Sequence, residues 1–279
     1  NKISKIYGIF NGTSNYILSS MDKQNKDFNE VLTDAQKLGY AESNPSADLN
    51  GDDVSSKLKI LSSLCFNSFL NNNIYVEGIK NIDKTDIDNA NNLGYKIKLL
   101  GFAELINNKI YQRVHPTLIE KDSYVASIDG VLNAVIIDGK PVGQSIIQGE
   151  GAGASATTSA LVSDISSILR GNIKFPFSIS NKERKNLNFK DISERFFSAY
   201  FRFNVTDKPG VLSNITQIFS RNKVSIKRLV QDPNKNKSSS SIIIITHPSK
   251  DKSLNRIIQT INERSYVKKR SKLIRIDDE

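Results

Sequence analysis

Two hydrophobic periodicities alternate along residues 198–279, and their order limits the folds that this part of the chain can adopt. Apolar residues recur three and four positions apart in two stretches, and they form short runs rich in β-branched and aromatic residues in four others. In chain order these are a strand at 199–206, a helix at 211–219, strands at 224–230 and 241–246, a helix at 254–262 and a strand at 266–276. The predicted element order is therefore βαββαβ.

This order is that of ferredoxin-like domains, and the charge distribution supports a separate unit. The net formal charge of the chain is +10. Residues 198–279 contain 17 Lys and Arg but only 7 Asp and Glu, so they carry the whole excess. A change of this kind marks a boundary between physically different parts of a chain. We predict a terminal domain at 198–279, a polar connector at 176–197 and a first domain at 1–175.

The first domain mixes helical and strand-like patterns, which predicts an α+β domain with a mixed sheet and an α/β class for the whole chain. A polar loop is expected at 42–50. The predicted helices are 28–38, 52–64 and 157–169. The predicted strands are 110–114, 131–137 and 143–147.

The composition excludes several classes of protein. Cys65 is the only cysteine, so an internal disulfide is impossible, and we expect a reducing, cytoplasmic location. One cysteine and two histidines do not supply the usual ligands of a structural metal cluster, and no metal site is expected. No apolar run approaches the ~20 residues that a membrane span needs. The chain lacks an initiator Met and a signal peptide, and we expect it to begin inside a longer protein.

Asp53 and Lys57 are the first candidates for chemistry, because residues four apart share one helix face. One interpretation is an ordinary surface ion pair, which contributes little to stability. The other is a lysine that Asp53 holds at the edge of a pocket, with Glu42 and Asp48 supplied by the preceding loop. A positioned ammonium can donate a proton to the alkoxide that forms when hydride attacks a carbonyl. The spacing leaves both interpretations open.

A glycine-rich stretch at 149–154, Gly-Glu-Gly-Ala-Gly-Ala, is similar to a dinucleotide-binding fingerprint between a strand and a helix. The acidic residue expected ~20 positions further on is missing, so a complete Rossmann unit is not predicted here. The stretch is either a tight loop that approaches a cofactor held by another domain or a packing turn without a ligand.

Three blocks of the first domain resemble the catalytic domain of homoserine dehydrogenases. They are 8–18 (GIFNGTSNYIL), 39–57 (GYAESNPSADLNGDDVSSK) and 130–165, which includes GVLNAV, GEGAG and SDI. They occur in the family's order and cover most of residues 1–171. The resemblance implies interconversion of L-homoserine and L-aspartate 4-semialdehyde with NAD or NADP, in threonine, methionine and isoleucine biosynthesis. It also implies a preceding nucleotide-binding domain that activity requires.

The resemblance assigns roles to individual residues. Lys57 matches the catalytic acid/base, Asp53 the carboxylate that orients it and contacts substrate, and Glu42 the residue that binds the substrate amino group. The further residues that the resemblance places around the substrate are Tyr40, Asp48, Gly12 and Thr13, and those that it places against the cofactor are Gly39, Gly149 and Gly151. The sequence departs from the family's pattern at two places: Ala156 replaces a common Pro, and Ser43-Asn44-Pro45 replaces a more acidic tripeptide.

The terminal domain is similar to ACT domains, the small amino-acid-sensing modules, at 207–212 (DKPGVL) and 224–226 (VSI). Asp207 is expected to accept from an effector's amino group. Gly210 and Val211 open a helix whose amide groups suit a carboxylate. The alternative is a turn without a ligand. Attached to a homoserine dehydrogenase, the domain implies feedback inhibition by a pathway amino acid, threonine first, and we expect a homo-oligomer, a dimer or tetramer.

Two other classes of function are compatible with parts of the sequence. A non-catalytic amino-acid-sensing fragment fits a chain that lacks a Rossmann domain. A basic ferredoxin-like domain also resembles RNA-recognition modules in outline, but those stack bases on aromatic residues of the central strands. The corresponding strands here, 224–226 and 242–245, contain no aromatic residue. We therefore expect no nucleic-acid partner and no membrane partner.

Overall fold

The computed structural model describes residues 1–69, 74–172, 179–233 and 239–277. These residues form two compact units. The first contains residues 1–116 and 121–191, and the second contains residues 117–120 and 192–279. Residues 176–178 of the predicted connector lie outside the described residues. Both units combine helices and strands, so the predicted fold class is confirmed.

The first unit contains both helices and strands. Its elements are β1 (Lys2–Ile9), α1 (Gly12–Gln24), α2 (Phe28–Lys37), α3 (Ser46–Asn50), α4 (Asp52–Phe66), β2 (Tyr75–Val76), α5 (Lys84–Asn92), β3 (Tyr95–Ile106), β4 (Lys109–Glu120), β5 (Leu132–Lys140), β6 (Gly143–Glu150), α6 (Ala154–Leu169) and β7 (Asn188–Lys190). Residues 117–120 at the end of β4 belong to the second unit.

The sheet of the first unit has the strand order β6-β5-β1-β3-β4. The central strand β1 pairs antiparallel with both neighbours, placing Ile6 opposite Ala103 of β3 and Ile137 of β5. The short strands β2 and β7 pair parallel with β4, which makes the sheet mixed. Helices α1, α4 and α5 contact β3, and their buried side chains include Ile17 and Leu58. The apolar helix faces and the sheet together form the core of this unit.

Several predicted boundaries in the first unit are wrong in detail. The loop predicted at 42–50 contains the short helix α3, and α6 begins at Ala154, three residues before the predicted start. Strand β6 continues to Glu150, so Gly149 lies in a strand. The predicted elements include none of β1, α1, β2, α5, β3 and β7.

Helix α6 contributes no buried residue to the first unit. Its apolar side chains are exposed by more than half, namely those of Leu161, Val162, Ile165, Ile168 and Leu169. The helix therefore presents an apolar surface within the part of the chain that the structure describes. No helix among the described residues is both long and apolar enough to span a membrane.

The second unit has the predicted βαββαβ order with one very short strand added. Its elements are β8 (Phe196–Thr206), α7 (Val211–Arg221), β9 (Ile226–Pro233), β10 (Ser239–Thr246), β11 (Ser249–Lys250), α8 (Asp251–Asn262) and β12 (Val267–Ile276). The main strands have the order β12-β8-β10-β9 and pair antiparallel. The rings of Phe201, Phe203 and Phe219 contact one another in the core. An aromatic cluster between β8 and α7 thus joins sheet and helix.

Candidate active site

Asn11 caps the start of α1 and joins it to two carboxylates. Its Oδ1 accepts a hydrogen bond from the backbone N–H of Ser14 at 2.7 Å, the usual N-cap contact. Its Nδ2 donates to Asp48 Oδ1 at 2.7 Å and to Asp53 Oδ2 at 2.8 Å. One almost fully buried amide therefore connects the beginnings of α1, α3 and α4.

Lys57 contacts the same cluster from one turn further along α4. Its Nζ donates to Asp53 Oδ2 at 2.8 Å and to the backbone carbonyl of Phe10 at 2.9 Å. The side chains of Lys57 and Asp53 are 43% and 29% exposed, so the pair lies at the edge of the protein and not in its core. The contacts with residues 10 and 11 distinguish the pair from an isolated surface ion pair on one helix.

Backbone packing fixes the short helix that carries Asp48. Leu49 is buried, and its carbonyl accepts from the N–H of Ile79 at 2.9 Å. Gly78 lies so close that a Cβ there would be 2.0 Å from Leu49 O. Gly51 separates α3 from α4 with a φ of +87°, a left-handed conformation that glycine adopts without strain. These contacts hold Asp48 beside the start of α4.

Other residues predicted to line the substrate pocket surround this cluster. Thr13 Oγ1 donates to the backbone carbonyl of Tyr40 at 2.6 Å, and the ring centroids of Tyr40 and Tyr16 are 5.0 Å apart. Gly12 packs against the residue that precedes β5, because a Cβ there would be 2.7 Å from Val131 O. The carboxylate of Glu42 forms no hydrogen bond or ion pair within the described residues, and its role in binding an amino group stays a prediction.

The predicted cofactor-facing glycines lie in three different backbone settings. Gly39 follows α2 with a φ of +76°, and there is open space where a Cβ would be, as there is at Gly149. Gly149 pairs with Asn133 of β5, whose side chain lies against Gly151. Because β6 pairs antiparallel with β5, the glycine-rich stretch does not belong to a parallel βαβ unit within the described residues.

Buried charge anchors α1 one turn beyond its cap. Lys98 Nζ donates to Asn15 Oδ1 at 3.1 Å, to Ile128 O at 2.6 Å and to Asp129 Oδ1 at 2.8 Å. Burial lowers the pKa of Lys98, although Asp129 opposes this effect. Burial would raise the pKa of Asp129, but its hydrogen bonds with Lys98 and Lys23 outweigh burial and lower it. The start of α1 is therefore fixed against β3 and the segment before β5.

The predicted effector residues line one open pocket in the second unit. Asp207, Gly210 and Val211 border a space of about 350 Å³, together with polar groups from neighbouring strands. Those polar groups include Gln231, whose Nε2 donates to Ser240 Oγ at 3.4 Å. Gly210 begins α7 in a left-handed conformation, and no side-chain hydrogen bond from the described residues caps this helix. A helix start without a side-chain cap leaves backbone N–H groups that suit a ligand carrying a negative group.

Sequence inspection missed Asn11, Phe10, Gln231 and Ser240 as site residues. A helix-start pattern in Asn11-Gly12-Thr13 was available to identify the cap. Nothing local indicates that the same amide reaches carboxylates 37 and 42 residues away.

Fold and site together define a two-unit α/β protein, with a lysine–carboxylate site in the first unit and an ACT-type βαββαβ second unit. The family model for homoserine dehydrogenase matches residues 1–166, and that for an AHAS small subunit-like ACT domain matches residues 201–269. The chain belongs to the homoserine dehydrogenase family. The resemblance seen in the sequence is confirmed.

Individual relatives agree with the family match. A homoserine dehydrogenase of Neisseria gonorrhoeae is 37% identical over 284 residues, covering 99% of this chain and 65% of that protein. The crystal structure of a homoserine dehydrogenase from Thiobacillus denitrificans superposes with a TM-score of 0.92 at 35% identity, covering 100% of this chain and 65% of that one. A hyperthermophilic archaeal homoserine dehydrogenase mutant in complex with NADPH is 25% identical, with a TM-score of 0.51, covering 61% of this chain and 48% of that one. The chain thus spans slightly less than two thirds of the length of the curated relatives it matches.

Proposed function

We propose that the protein to which this chain belongs is an NAD(P)-dependent homoserine dehydrogenase in threonine, methionine and isoleucine biosynthesis. It interconverts L-homoserine and L-aspartate 4-semialdehyde. The observation that carries the proposal is the cluster of Lys57, Asp53, Asn11 and Asp48 in a chain of this family. A cytoplasmic location is part of the proposal and rests on the single cysteine.

Lys57 is the residue that transfers the proton to and from the substrate oxygen. An ammonium group has three N–H donors. Two are directed at Asp53 and at the carbonyl of Phe10, which leaves one for the substrate oxygen. During reduction Lys57 gives a proton to the aldehyde oxygen, and during oxidation it accepts the hydroxyl proton. Because two fixed acceptors orient Nζ, the third N–H has a defined direction.

Substrate binding falls to the carboxylates around Lys57. The substrate carries an ammonium group, and Asp48 and Asp53 provide negative charge within two hydrogen-bond lengths of each other. Glu42 is exposed on the preceding loop and can add a third carboxylate to the amino group. Thr13 and Tyr40, joined by a hydrogen bond, form part of the wall.

The nicotinamide cofactor, when bound, supplies or accepts the hydride. Open space at Gly39 and Gly149 leaves the backbone accessible to a ligand, while Gly151 is packed against Asn133. Gly39 and Gly149 are therefore proposed to lie against the cofactor, and Gly151 is proposed there on the family resemblance alone. The dinucleotide-binding fold itself is assigned to the part of the protein beyond this chain.

The direct test is steady-state oxidation of L-homoserine by the full-length protein, followed by the absorbance of reduced cofactor with NAD and with NADP. 4-Hydroxybutyrate, which lacks the ammonium group, is the matched control. The proposal expects turnover of homoserine and a large loss of kcat/KM with the control. Absence of turnover with both cofactors would favour the alternative, a non-catalytic amino-acid-sensing protein.

Regulation is proposed to act through the pocket at the start of α7. The carboxylate of a free amino acid, threonine first, is placed at Gly210 and Val211, and its ammonium group at Asp207. Threonine should inhibit the wild-type enzyme, and Asp207→Asn should raise the concentration needed for half inhibition at least tenfold. Glu263→Gln, an exposed change in the same unit, serves as control. Equal inhibition of all three proteins would contradict this site and favour a turn without a ligand.

Oligomerisation is also proposed, as a dimer or tetramer. Among the described strands, β9 ends the main sheet of the second unit and leaves one edge available for pairing with another copy. Light scattering coupled to size-exclusion chromatography of the full-length protein measures the mass directly. A monomeric mass at working concentration would contradict the proposal.

A further inference from the structure

Asn11 uses both ends of its side-chain amide, and the two ends do different things. The oxygen accepts from the N–H of Ser14 and caps α1. The nitrogen donates to one carboxylate oxygen of Asp48 and one of Asp53. The side chain is 5% exposed, so the amide has few alternative partners and little freedom to turn. The cap thus fixes the direction in which the nitrogen points.

The nitrogen of Asn11 brings two like charges together and determines where one of them lies. Asp48 and Asp53 approach within two hydrogen-bond lengths because they share this donor, whereas two carboxylates without it repel each other. Asp53 Oδ2 is also the atom that accepts from Lys57 Nζ at 2.8 Å. The neighbouring carbonyl of Phe10 accepts from the same Nζ at 2.9 Å. Residues 10 and 11 therefore fix both partners of the acid/base pair.

An asparagine side chain can cap the helix with its oxygen and donate hydrogen bonds to both carboxylates with its nitrogen. Serine and aspartate cap helices about as well as asparagine, because each offers an oxygen to the helix amides. Neither offers the two N–H donors of an amide while its oxygen caps. Capping alone therefore does not require asparagine at this position, and the shared contact with the two carboxylates does.

We propose that Asn11 is a positioning residue that holds Asp48 and Asp53 as an aligned pair, so that Lys57 and the substrate ammonium bind in the orientation that hydride transfer needs. The proposal rests on the proposed homoserine dehydrogenase activity. It assigns to Asn11 no contact with the reacting atoms. Its effect passes through the two carboxylates.

Two variants separate the two jobs. Asn11→Ser keeps an oxygen for the cap and removes the two amide N–H donors, and Asn11→Asp keeps the cap and places a third carboxylate beside the first two. Asn15→Ser is the matched control, because Asn15 lies one turn along the same helix and is equally buried. Its Nδ2 donates to the carbonyls of Ile128 and Leu132, not to the catalytic cluster.

The experiment measures kcat, KM for homoserine, KM for the cofactor and the melting temperature of the full-length enzyme and these variants. Asn11→Ser should lower kcat/KM for homoserine about 10- to 100-fold, the range expected when hydrogen bonds to charged groups are lost. Asn11→Asp should lower it further. Both should retain the wild-type KM for the cofactor. Asn11→Ser should keep a melting temperature close to wild type, whereas Asn11→Asp should lower it, because a third carboxylate beside the first two adds repulsion. Asn15→Ser should lose stability and retain kcat/KM.

The outcomes are distinguishable. An active wild type with unchanged kcat/KM in Asn11→Ser overturns the positioning role and leaves the proposed function intact. The role is also overturned if activity in all three variants follows the melting temperature alone. A wild type that does not turn over homoserine overturns the proposed function and this inference together. If Asn11→Ser does not fold, Asn11→Asp decides by the same criteria.

Discussion

The ion pair between Asp251 and Arg275 in the second unit is expected to be among its most costly interactions to break. Arg275 Nε donates to Asp251 Oδ1 at 2.7 Å, and the two side chains are only 1% and 3% exposed. Asn255 Nδ2 donates to the other carboxylate oxygen at 2.7 Å. Asp251→Asn keeps the size of the side chain but removes the carboxylate charge that contacts this buried guanidinium.

The expected loss of folding free energy in Asp251→Asn follows from the burial of this ion pair. Unit charges 4 Å apart attract by about 4 kcal/mol at an effective dielectric constant of 20. Removing one partner of a buried pair typically costs about 3–5 kcal/mol. Because asparagine retains one oxygen acceptor, we expect about 3 kcal/mol, which shifts the urea midpoint by roughly 1–3 M for an m-value of about 1–3 kcal/mol/M.

Urea unfolding followed by far-ultraviolet circular dichroism measures this shift. Glu194→Gln is the control, since Glu194 pairs with Lys250 and Lys252 on the surface of the same unit and should change the midpoint little. Combining Asp251→Asn with Arg275→Met should recover much of the loss, because the buried guanidinium is then removed together with the carboxylate charge that contacts it. A shift for Asp251→Asn no larger than for Glu194→Gln would refute the reasoning.

Three further predictions concern the first unit. Gly78→Ala should destabilise the protein by about 1–3 kcal/mol in urea unfolding and raise KM for homoserine, because a Cβ 2.0 Å from Leu49 O displaces α3; wild-type values for both would contradict the packing described. Cys65 should react slowly with iodoacetamide at neutral pH until urea unfolds the chain, because burial raises its pKa to about 11; rapid labelling of the folded protein would refute this. Burial raises the pKa of the Asp129 carboxyl, but its hydrogen bonds with Lys98 and Lys23 outweigh burial and bring the pKa below 3.8. The stability that the ionised carboxylate contributes is therefore present above about pH 4 and is lost as pH falls through the lowered pKa. Asp129→Asn should flatten the acid side of a stability–pH profile, and an unchanged slope would contradict that assignment.

The second unit was predictable because its periodicities are local and strong. The apolar face of α7 repeats at helical spacing, strand β8 is rich in aromatic residues, and β10 contains four consecutive isoleucines. Each element therefore indicates its own type without information from the rest of the chain. The one addition, β11, is two residues long.

The elements of the first unit were harder to predict, because the polarity pattern of several of them does not match their secondary structure or burial. Strand β3 carries Lys98 in its interior, and a lysine is normally expected to face solvent. Helix α5 buries only Asp86, Ile87 and Ala90, which is too weak a pattern to predict a helix. Partners distant in sequence stabilise both elements, and a local pattern does not contain those partners.

The candidate site was predictable only where its contacts are local in sequence. Asp53 and Lys57 are four residues apart on one helix, so their pairing follows from local geometry. The contacts of Asn11 with Asp48 and of Lys57 with Phe10 join segments about 40 residues apart and exist only after the chain has folded. The resemblance to a family indicated which residues matter, and the folded geometry indicates how they are held.

Lys57 is proposed to exchange the proton with the substrate oxygen, and kcat for homoserine oxidation in Lys57→Ala of the full-length protein tests this role. Lys59→Ala is the matched control, because residues two apart do not share a helix face. With folding verified by circular dichroism, the account predicts a loss of about 10²–10⁴-fold in kcat for Lys57→Ala and near wild-type turnover for Lys59→Ala. A folded Lys57→Ala variant with near wild-type turnover would contradict the claim and make Asp53 and Lys57 an ordinary helix ion pair.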